Sequence, residues 1–304
     1  MRPDSVVATA PAKINLCLGV GPVRDDGYHP LATVYQAVGL FDEVTVAPDP
    51  GGWTLTVQGD ERLSVSEVPT DDTNLAMRAG KLLAAHHGVD EAVRITLDKG
   101  IPVAGGLAGG SADAAATLVA CDALWGARTP RAELLELAAE LGSDVPFALV
   151  GGTAIGSARG EVVTPAMTRG SYWWVVLESS VGLSTPKVYR EFDIMHEGVP
   201  VGDPEIPDAL MAALRSGDIE KLGASLANDL QPAALRLRPD LEQSLEYGRE
   251  GSAHGAIVSG SGPSCLFLTE GRAHAQQVAG WLKGYGLGPV SFAPGPVPGA
   301  RVIR

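Results

Sequence analysis

The chain has 304 residues, with 23 Lys and Arg against 36 Asp and Glu, so its formal net charge is −13. This charge argues against sequence-independent binding to nucleic-acid phosphates or to anionic lipid. Hydrophobic residues make up 45% and charged residues 19% of the chain, and no apolar run approaches the roughly 20 residues that cross a bilayer. The composition therefore predicts a globular protein of one or two domains that binds neither nucleic acid nor membrane.

The cysteines and histidines give no indication of a metal or disulfide framework. Cys17, Cys121 and Cys265 are far apart and form no Cys-x-x-Cys pair, so a reducing, cytoplasmic setting is expected. The first eleven residues lack the apolar stretch of a signal peptide. Because none of the six histidines has metal-ligand spacing to another His or Cys, we predict no zinc site.

Strand-like segments cluster ahead of the first helix. They lie at Val6 to Ala10, Leu31 to Val38, Glu43 to Val46 and Trp53 to Val57. A helical pattern follows at Asn74 to His87. Because these strands do not alternate one for one with helices, an α+β fold is favoured over a doubly wound parallel sheet.

A glycine-rich segment connects a strand predicted at Val93 to Leu97 with a helix predicted at Ala112 to Trp125. Its four central glycines are Gly105, Gly106, Gly109 and Gly110. Main-chain N–H groups at such a junction converge on an anion, and the helix dipole adds positive potential. The segment predicts a phosphate-binding loop; the alternative is a bare connection, which needs only one or two glycines.

The loop matches none of three common patterns. No two of its glycines are two apart, as a dinucleotide fingerprint requires. Gly105 and Gly110 have the separation of a P-loop, but Ser111 stands where that motif has lysine. Asp113 stands where a nucleophile elbow needs its second glycine. Nucleotide charge must therefore be met by main-chain dipoles, Mg²⁺ and basic groups from elsewhere, and the Ser111 hydroxyl could bind phosphate or Mg²⁺.

Two acidic residues near this region have ordinary structural explanations. Asp113 lies in the first turn of the predicted helix, where the dipole stabilises an acid whatever the function. The next helix is predicted to start with Thr129 as its N-cap and to end at Leu141. Asp144 follows in a short turn, where an aspartate is most often a local capping group.

The N-terminal third holds two polar clusters. Lys13 and Asn15 share one face if their segment is extended, and Lys13 is either a surface lysine or half of a functional ion pair. Asp25-Asp26-Gly27 predicts a turn, and the adjacent Tyr28 and His29 either belong to the core or stack on a base.

The second half begins after a stretch rich in Gly, Thr and Ser. We predict an N-terminal domain over residues 1–160 and a C-terminal domain over residues 161–304, whose first strong strand is Tyr172 to Leu177. Helices are predicted at Asp208 to Ser216 and Ile219 to Leu230. Gly260-Ser-Gly262, between two apolar strands, is either a hairpin turn or a close main-chain approach to a ligand.

Three motifs, taken in their order along the chain, resemble those of the galactokinase, homoserine kinase, mevalonate kinase and phosphomevalonate kinase (GHMP) superfamily. They are Pro11-Ala-Lys-Ile-Asn-Leu16, the glycine loop from Pro102 to Ala112 with Asp113, and Gly260-Ser-Gly262. The resemblance spans almost the whole chain. It implies a ribosomal protein S5 domain 2-like N-terminal domain, a ferredoxin-like C-terminal domain, and a cleft for ATP and an alcohol substrate between them. It also implies Mg²⁺.

Within the superfamily, Asp26-Gly-Tyr-His29 and Leu141-Gly-Ser-Asp-Val-Pro146 are similar to the branch that phosphorylates a cytidine diphosphate-linked methylerythritol in non-mevalonate isoprenoid synthesis. This resemblance implies that Lys13 and Asp144 are catalytic, with Asp144 accepting the proton of the attacking hydroxyl. It assigns ATP binding to Pro102, Val103, Ala104, Gly105, Gly106, Leu107, Ala108, Gly109, Gly110, Ser111 and Ala112, with Ser111 also as the metal-binding residue. Substrate-binding residues would be Asn15, Tyr28, His29, Thr185 and Tyr189, the two tyrosines enclosing a cytosine ring.

The loop departs from the commoner family pattern. Ala104, Ala108 and Ala112 replace Gly, Gly and Ser, so the Ser111 hydroxyl becomes the expected phosphate contact. A homoserine or mevalonate-type kinase remains an alternative, against which the Tyr28-His29 pair argues. A catalytically silent nucleotide-binding regulatory protein of the same fold is the other alternative. We expect a small-molecule substrate and either a monomer or a homodimer.

Overall fold

A computed structural model describes residues 3–59, 63, 65–103, 105–179 and 181–304 of the chain. Its strands form two sheets. The larger sheet contains β1 (Val6–Val20), β2 (Leu31–Pro48), β3 (Thr54–Gly59), β4 (Val93–Lys99), β5 (Thr153–Ser157), β6 (Val162–Pro165), β8 (Ala227–Asn228) and β12 (Arg301–Val302). The smaller sheet contains β7 (Tyr172–Leu177), β9 (Gly255–Val258), β10 (Cys265–Thr269) and β11 (Val290–Gly295).

Antiparallel pairing dominates both sheets. The larger one has the order β12-β1-β2-β4-β3, with β5 on β2, β6 on β5 and β8 on β1. The smaller one has the order β11-β7-β10-β9. Antiparallel strands joined by hairpins, with helices placed between groups of strands, define an α+β arrangement, and the predicted fold class is confirmed.

Helices cover and connect the sheets. They are α1 (Leu75–His87), α2 (Gly109–Trp125), α3 (Arg131–Leu141), α4 (Val145–Val150), α5 (Thr185–Met195), α6 (Asp208–Ser216), α7 (Ile219–Ala224), α8 (Gln231–Leu237), α9 (Asp240–Glu250) and α10 (Arg272–Lys283). In the described part of the chain, no helix has the length and apolar character that crossing a membrane requires.

The long hairpin of β1 and β2 extends well beyond the predicted strands. β1 was expected to stop at Ala10, but it continues through Pro11 because a change of register between Pro11 and Ala12 absorbs the proline. β2 was expected as two strands and is one. Every residue of β1 is buried except Lys13, which is half-buried, so Lys13 is the residue of this strand that remains accessible.

Helix α2 forms the centre of the N-terminal half. It is rich in alanine, and its buried residues lie all around the helix, because small side chains let neighbouring elements approach on every side. The helix starts at Gly109, not at the predicted Ala112. The last two glycines of the loop therefore form its first turn, and their main-chain N–H groups are at the free helix end.

Two further predicted helix boundaries are wrong. Thr129 does not cap α3: Pro130 occupies the cap position, and the Thr129 hydroxyl donates to the Asp122 carboxylate instead. The helix expected at Ile219 to Leu230 ends at Ala224, because β8 follows and pairs with Cys17 and Leu18 of β1.

The chain passes from the larger to the smaller sheet between Pro165 and Tyr172, since β6 still pairs with β5. It returns to the larger sheet twice, through β8 and β12. The division between residues 160 and 161 stays a prediction.

Candidate active site

A cavity of about 880 Å³ opens between the two halves of the chain. Its walls come from β1 and β2, the glycine loop, the segment before α4, α5 and the β9–β10 loop. Among the predicted site residues, those that line it are Lys13, Asn15, Tyr28, His29, Gly106, Ala108, Asp144, Thr185 and Tyr189. Residues from both ends of the sequence thus meet at one site.

Lys13 and Asp144 face each other in this cavity. The distance from Lys13 Nζ to Asp144 Oδ2 is 3.5 Å. Lys13 Nζ also donates to Asn15 Oδ1 at 2.9 Å, which confirms that the two side chains share one face of β1. Asn15 Nδ2 in turn donates to Thr33 Oγ1 at 2.8 Å. The lysine is therefore held in an ion pair and is not a freely solvated surface group.

Asp144 occupies the position before α4, yet its side chain makes no capping hydrogen bond within the described residues. The capping explanation is therefore wrong. Burial, followed by the Asp144 charge, raises the pKa of Tyr189 to about 12. The same causes raise the pKa of Tyr35 well above its usual value. Asp144 is thus flanked by two neutral phenols, and Lys13 is the cation beside it.

The glycine loop is held by main-chain contacts on two sides. The Lys13 N–H donates to the Leu107 carbonyl at 3.1 Å, which joins the loop to β1. Gly106 has a φ of +73°, and a Cβ there would lie 2.9 Å from the carbonyl oxygens of Ser259 and Gly262. Only glycine meets both conditions without displacing main chain.

The predicted ATP-binding residues fall into two groups, buried and accessible. Pro102, Gly105, Leu107 and Ala112 are buried, whereas Val103, Gly106, Ala108, Gly109, Ser111 and the exposed Gly110 are accessible. Ala104 lies outside the described residues. Ala108 adopts a left-handed φ of 59° just before α2, a conformation that a non-glycine residue rarely adopts. The buried members shape the loop, and the accessible members can present N–H groups to an anion.

Behind the loop lies a buried charged cluster that the sequence patterns did not predict. Lys99 Nζ donates to Asp42 and, at 2.6 Å, to Asp113 Oδ2. Asp42 Oδ1 accepts from the N–H groups of Gly100 and Ile101, each at 2.8 Å. Burial first, and Asp42 second, raise the pKa of Asp113 to about 8. Asp113 is therefore a buried member of this cluster. The prediction that it lies in the first turn of its helix is wrong, because α2 begins at Gly109 and has no acidic residue in its first turn.

The β9–β10 loop forms another wall. Gly260 and Ser261 line the cavity, and Ser261 Oγ is 2.7 Å from Thr185 Oγ1. Asn228 Nδ2 holds this loop in place by donating hydrogen bonds to the carbonyls of Val258 and Gly260. The segment is thus a hairpin loop that also approaches the cavity, so the two interpretations of its glycines are compatible.

The outer end of the cavity carries aromatic side chains. His29 is buried, and its Nδ1 donates to the Gly21 carbonyl at 2.8 Å, because a carbonyl oxygen can only accept. The centroids of the His29 and Tyr189 rings are 5.2 Å apart. Tyr28 remains 56% exposed. The rings of His29 and Tyr189, together with the exposed ring of Tyr28, are suited to contact a ligand that is flat and has polar edges.

Sequence reasoning missed three charged residues at this end. Arg159, Arg190 and Asp193 line the cavity, and Asp193 Oδ1 lies 3.5 Å from His29 Nε2. Arg159 lies in a turn, and Arg190 and Asp193 lie in α5. The sequence patterns predicted neither of these elements. No spacing in the sequence relates them to Tyr28 or His29.

Few groups could hold a divalent metal. In the described ranges, no group of three or more His, Cys, Asp and Glu has metal-binding geometry. The Ser111 hydroxyl, at the third residue of α2, has no hydrogen-bond partner within those ranges. This donor set fits Mg²⁺, which usually keeps several waters and binds few protein groups in addition to substrate phosphates.

Comparison with known proteins places the chain in a family. A family model described as "GHMP kinases N terminal domain" matches residues 74–152, and one described as "GHMP kinases C terminal" matches residues 210–285. The chain belongs to the GHMP kinases and has their two-domain fold of mixed α and β structure.

Individual relatives are similar over nearly their full length. A 4-diphosphocytidyl-2-C-methyl-D-erythritol kinase of Thermobifida fusca is 54% identical over 99% of each chain. A crystal structure of a 4-(cytidine 5'-diphospho)-2C-methyl-D-erythritol kinase has a TM-score of 0.76 and 33% identity, covering 96% of this chain and 99% of that one. A homoserine kinase from Cytophaga hutchinsonii also has a TM-score of 0.76, at 20% identity over 99% and 98%. That last similarity concerns the fold alone.

Proposed function

We propose that this chain is an ATP-dependent kinase that phosphorylates the 2-hydroxyl of 4-diphosphocytidyl-2-C-methyl-D-erythritol in the non-mevalonate isoprenoid pathway. The observation that carries the proposal is the Lys13–Asp144 pair, with 3.5 Å between Nζ and Oδ2, beside an accessible glycine loop. The 54% identity to a kinase named for this substrate supports the choice of alcohol.

Asp144 is the base of the proposed reaction. The substrate oxygen forms a bond to the γ-phosphorus, the bond from that phosphorus to the ADP oxygen breaks, and the hydroxyl proton passes to the Asp144 carboxylate. Lys13 pairs with the carboxylate and stabilises negative charge on the attacking oxygen. The hydrogen bond from Lys13 to Asn15 fixes the direction of the ammonium group, so little reorganisation is needed during the reaction.

The glycine loop is the proposed site of the ATP phosphates. The accessible N–H groups at the start of α2 are suited to bind oxygen atoms of the triphosphate, because these groups are unpaired within the helix. Ser111 would hold Mg²⁺ together with those phosphates. When bound, Mg²⁺ neutralises charge on the triphosphate.

The aromatic end is the proposed site of the cytosine. Tyr28 and Tyr189 would stack on the ring, and His29 would hydrogen-bond its edge. Asn15 and Thr185 would provide polar contacts to the substrate. The open position of Tyr28 and the closeness of His29 to Tyr189 support this assignment. A homoserine or mevalonate-type kinase has no use for such a wall, since those substrates carry no ring.

We also propose the finer fold assignment, with domains at residues 1–160 and 161–304. The C-terminal part follows the chain order β7, helices, β9, β10, α10, β11, with sheet order β11-β7-β10-β9. This β-α-β-β-α-β order supports a ferredoxin-like domain. For the N-terminal part we propose a ribosomal protein S5 domain 2-like domain, on the resemblance of the motifs. A cytoplasmic monomer or homodimer that binds neither nucleic acid nor membrane completes the proposal, and the acidic net charge of −13 supports it.

The proposal is tested by the substitution Asp144→Asn. Asparagine keeps the size and the polarity of the side chain but cannot accept the proton, so kcat should fall about 10²- to 10⁴-fold. The affinity for ATP should change little, because Asp144 is opposite the acceptor hydroxyl in this mechanism. ADP release with the cytidine diphosphate-linked substrate measures turnover, and calorimetry measures nucleotide binding. Turnover that survives the substitution would show that the base is wrongly assigned.

The same assay distinguishes the alternatives. We expect ADP release with 4-diphosphocytidyl-2-C-methyl-D-erythritol and none with homoserine or mevalonate. Equal rates with all three would refute the substrate. An unmutated protein that binds ATP but turns over no alcohol would instead support the silent regulatory alternative.

A further inference from the structure

Arg159 contacts the most exposed ring of the cavity. Its guanidinium carbon lies 5.3 Å from the centroid of the Tyr28 ring, within the distance at which a cation is attracted to an aromatic face. Both residues line the cavity. Because Tyr28 is 56% exposed and its hydroxyl has no hydrogen-bond partner in the described part of the chain, packing alone does not fix this ring.

The turn that carries Arg159 is itself held in place. The Ala158 carbonyl accepts from the Leu31 N–H at 2.7 Å, at the start of β2. Gly160 has a φ of +103°, and a Cβ there would lie 2.3 Å from the Tyr35 hydroxyl, so the turn packs directly on that buried tyrosine. Because the turn is anchored, the main chain of Arg159 has a fixed position relative to the cavity.

Glu161 holds the arginine from the other side. The Arg159 N–H donates to Glu161 Oε2 at 2.7 Å, and Arg159 Nε lies 3.4 Å from Glu161 Oε1. The carboxylate orients the guanidinium and offsets part of its charge. Arg190, which also lines the cavity, has no such partner within the described ranges. Of the two arginines, Arg159 is therefore the one suited to hold a ring, and Arg190 is the one with its full charge available to a phosphate.

We infer that Arg159 is a positioning residue that orients Tyr28 for stacking on the pyrimidine of a cytidine nucleotide-linked substrate. This inference rests on the proposed function, and it adds a specificity residue that acts through Tyr28. The guanidinium limits the rotation of an otherwise open side chain, so less conformational freedom is lost when the base binds.

Calorimetry with cytidine and with cytidine 5'-diphosphate tests the inference on the intact protein. Arg159→Ala should weaken the binding of both ligands by the same factor, about two- to fivefold, as expected for an exposed cation–π contact. kcat and the KM for ATP should not change. Arg159→Lys should recover part of the affinity, because it keeps the charge without the planar group. Arg94→Ala is the matched control, since Arg94 is an exposed arginine beside Asp49 outside the cavity.

Tyr28→Leu shows whether Arg159 acts through the ring. In that background, Arg159→Ala should have no further effect on cytidine affinity. A loss that is seen with cytidine 5'-diphosphate but not with cytidine would show that Arg159 binds phosphate, and the inference would be overturned. An undiminished loss in the Tyr28→Leu background, or unchanged binding by Arg159→Ala, would also overturn it. The proposed function is decided separately, by turnover of the unmutated enzyme.

Discussion

The two ends of the cavity are held together in different ways. At the loop end, main chain packs on main chain: a Cβ on Gly106 would lie 2.9 Å from two carbonyl oxygens, and a buried charged cluster lies behind the first turn of α2. At the outer end, Tyr28 is 56% exposed and lies against the guanidinium of Arg159. The loop end therefore tolerates little change, whereas the outer end can change at small cost in stability.

The largest effect is expected at Gly106. Gly106→Ala should lower the free energy of unfolding by about 2 kcal/mol, because the left-handed φ is strained for alanine and main chain must move. The KM for ATP should rise tenfold or more as the loop shifts. Urea unfolding and steady-state kinetics measure the two effects.

Gly126→Ala is the matched control for this substitution. Gly126 has a similar φ of +65°, and nothing in the described part of the chain lies within 4 Å of its added Cβ. The control should lose about 1 kcal/mol of stability from strain alone and keep its KM for ATP. If Gly106→Ala behaved like this control, the loop end would be more tolerant than its packing indicates.

The outer end should show the opposite pattern. Tyr28→Leu should raise the KM for the cytidine diphosphate-linked substrate about tenfold, since base stacking contributes about 1–3 kcal/mol. The thermal midpoint should hardly change, because the ring is mostly exposed. Tyr285→Leu, at an exposed tyrosine outside the cavity, should leave KM unaltered. A large loss of stability in Tyr28→Leu would contradict the comparison between the two ends.

A smaller effect is expected from the buried cluster behind the loop. Burial, with Asp42 next, raises the pKa of Asp113 to about 8. The native carboxyl thus keeps a proton that the unfolded chain has lost, and the stability due to this group falls as pH rises from about 4 to 8. Asp113→Asn cannot titrate, so its stability relative to the unmutated protein should increase steadily as the pH rises from 5 to 8. Urea unfolding at each pH measures the difference.

The exposed Asp98→Asn provides the control for this pH series. Its stability difference from the unmutated protein should stay constant over the same range, because Asp98 is solvated in both states. A constant difference for Asp113→Asn as well would show that the buried carboxyl is ionised throughout, and that the cluster does not couple the loop end to pH.

Some of the site was predictable because it depends on neighbouring residues. Alternation along an extended segment places Lys13 and Asn15 on one face, and the hydrogen bond between them confirms it. The glycines between β4 and α2 predict an anion-binding loop by themselves. Helix α5 was not predicted, although Val188 and Phe192, its two buried residues, are four residues apart, and this spacing is a signal that could have found it.

Other parts of the site combine residues that no local pattern relates. The cluster of Asp42, Lys99 and Asp113 takes one residue each from β2, β4 and α2. Its members are ordinary charged residues until the fold removes them from water, and burial then makes their pairing obligatory. Arg159 likewise approaches Tyr28 only because its turn packs on Tyr35 and bonds to the start of β2.

The amino-acid sequence by itself determined the α+β class, the glycine loop and the order of motifs that relates the chain to its family, because each follows from the properties and spacing of nearby residues. Only the tertiary structure decided that Asp144 faces Lys13 without capping its helix, and that Asp113 is buried. The physical reason is that burial and charge pairing are set by elements packed together from distant parts of the chain, and those partners are absent from the local sequence.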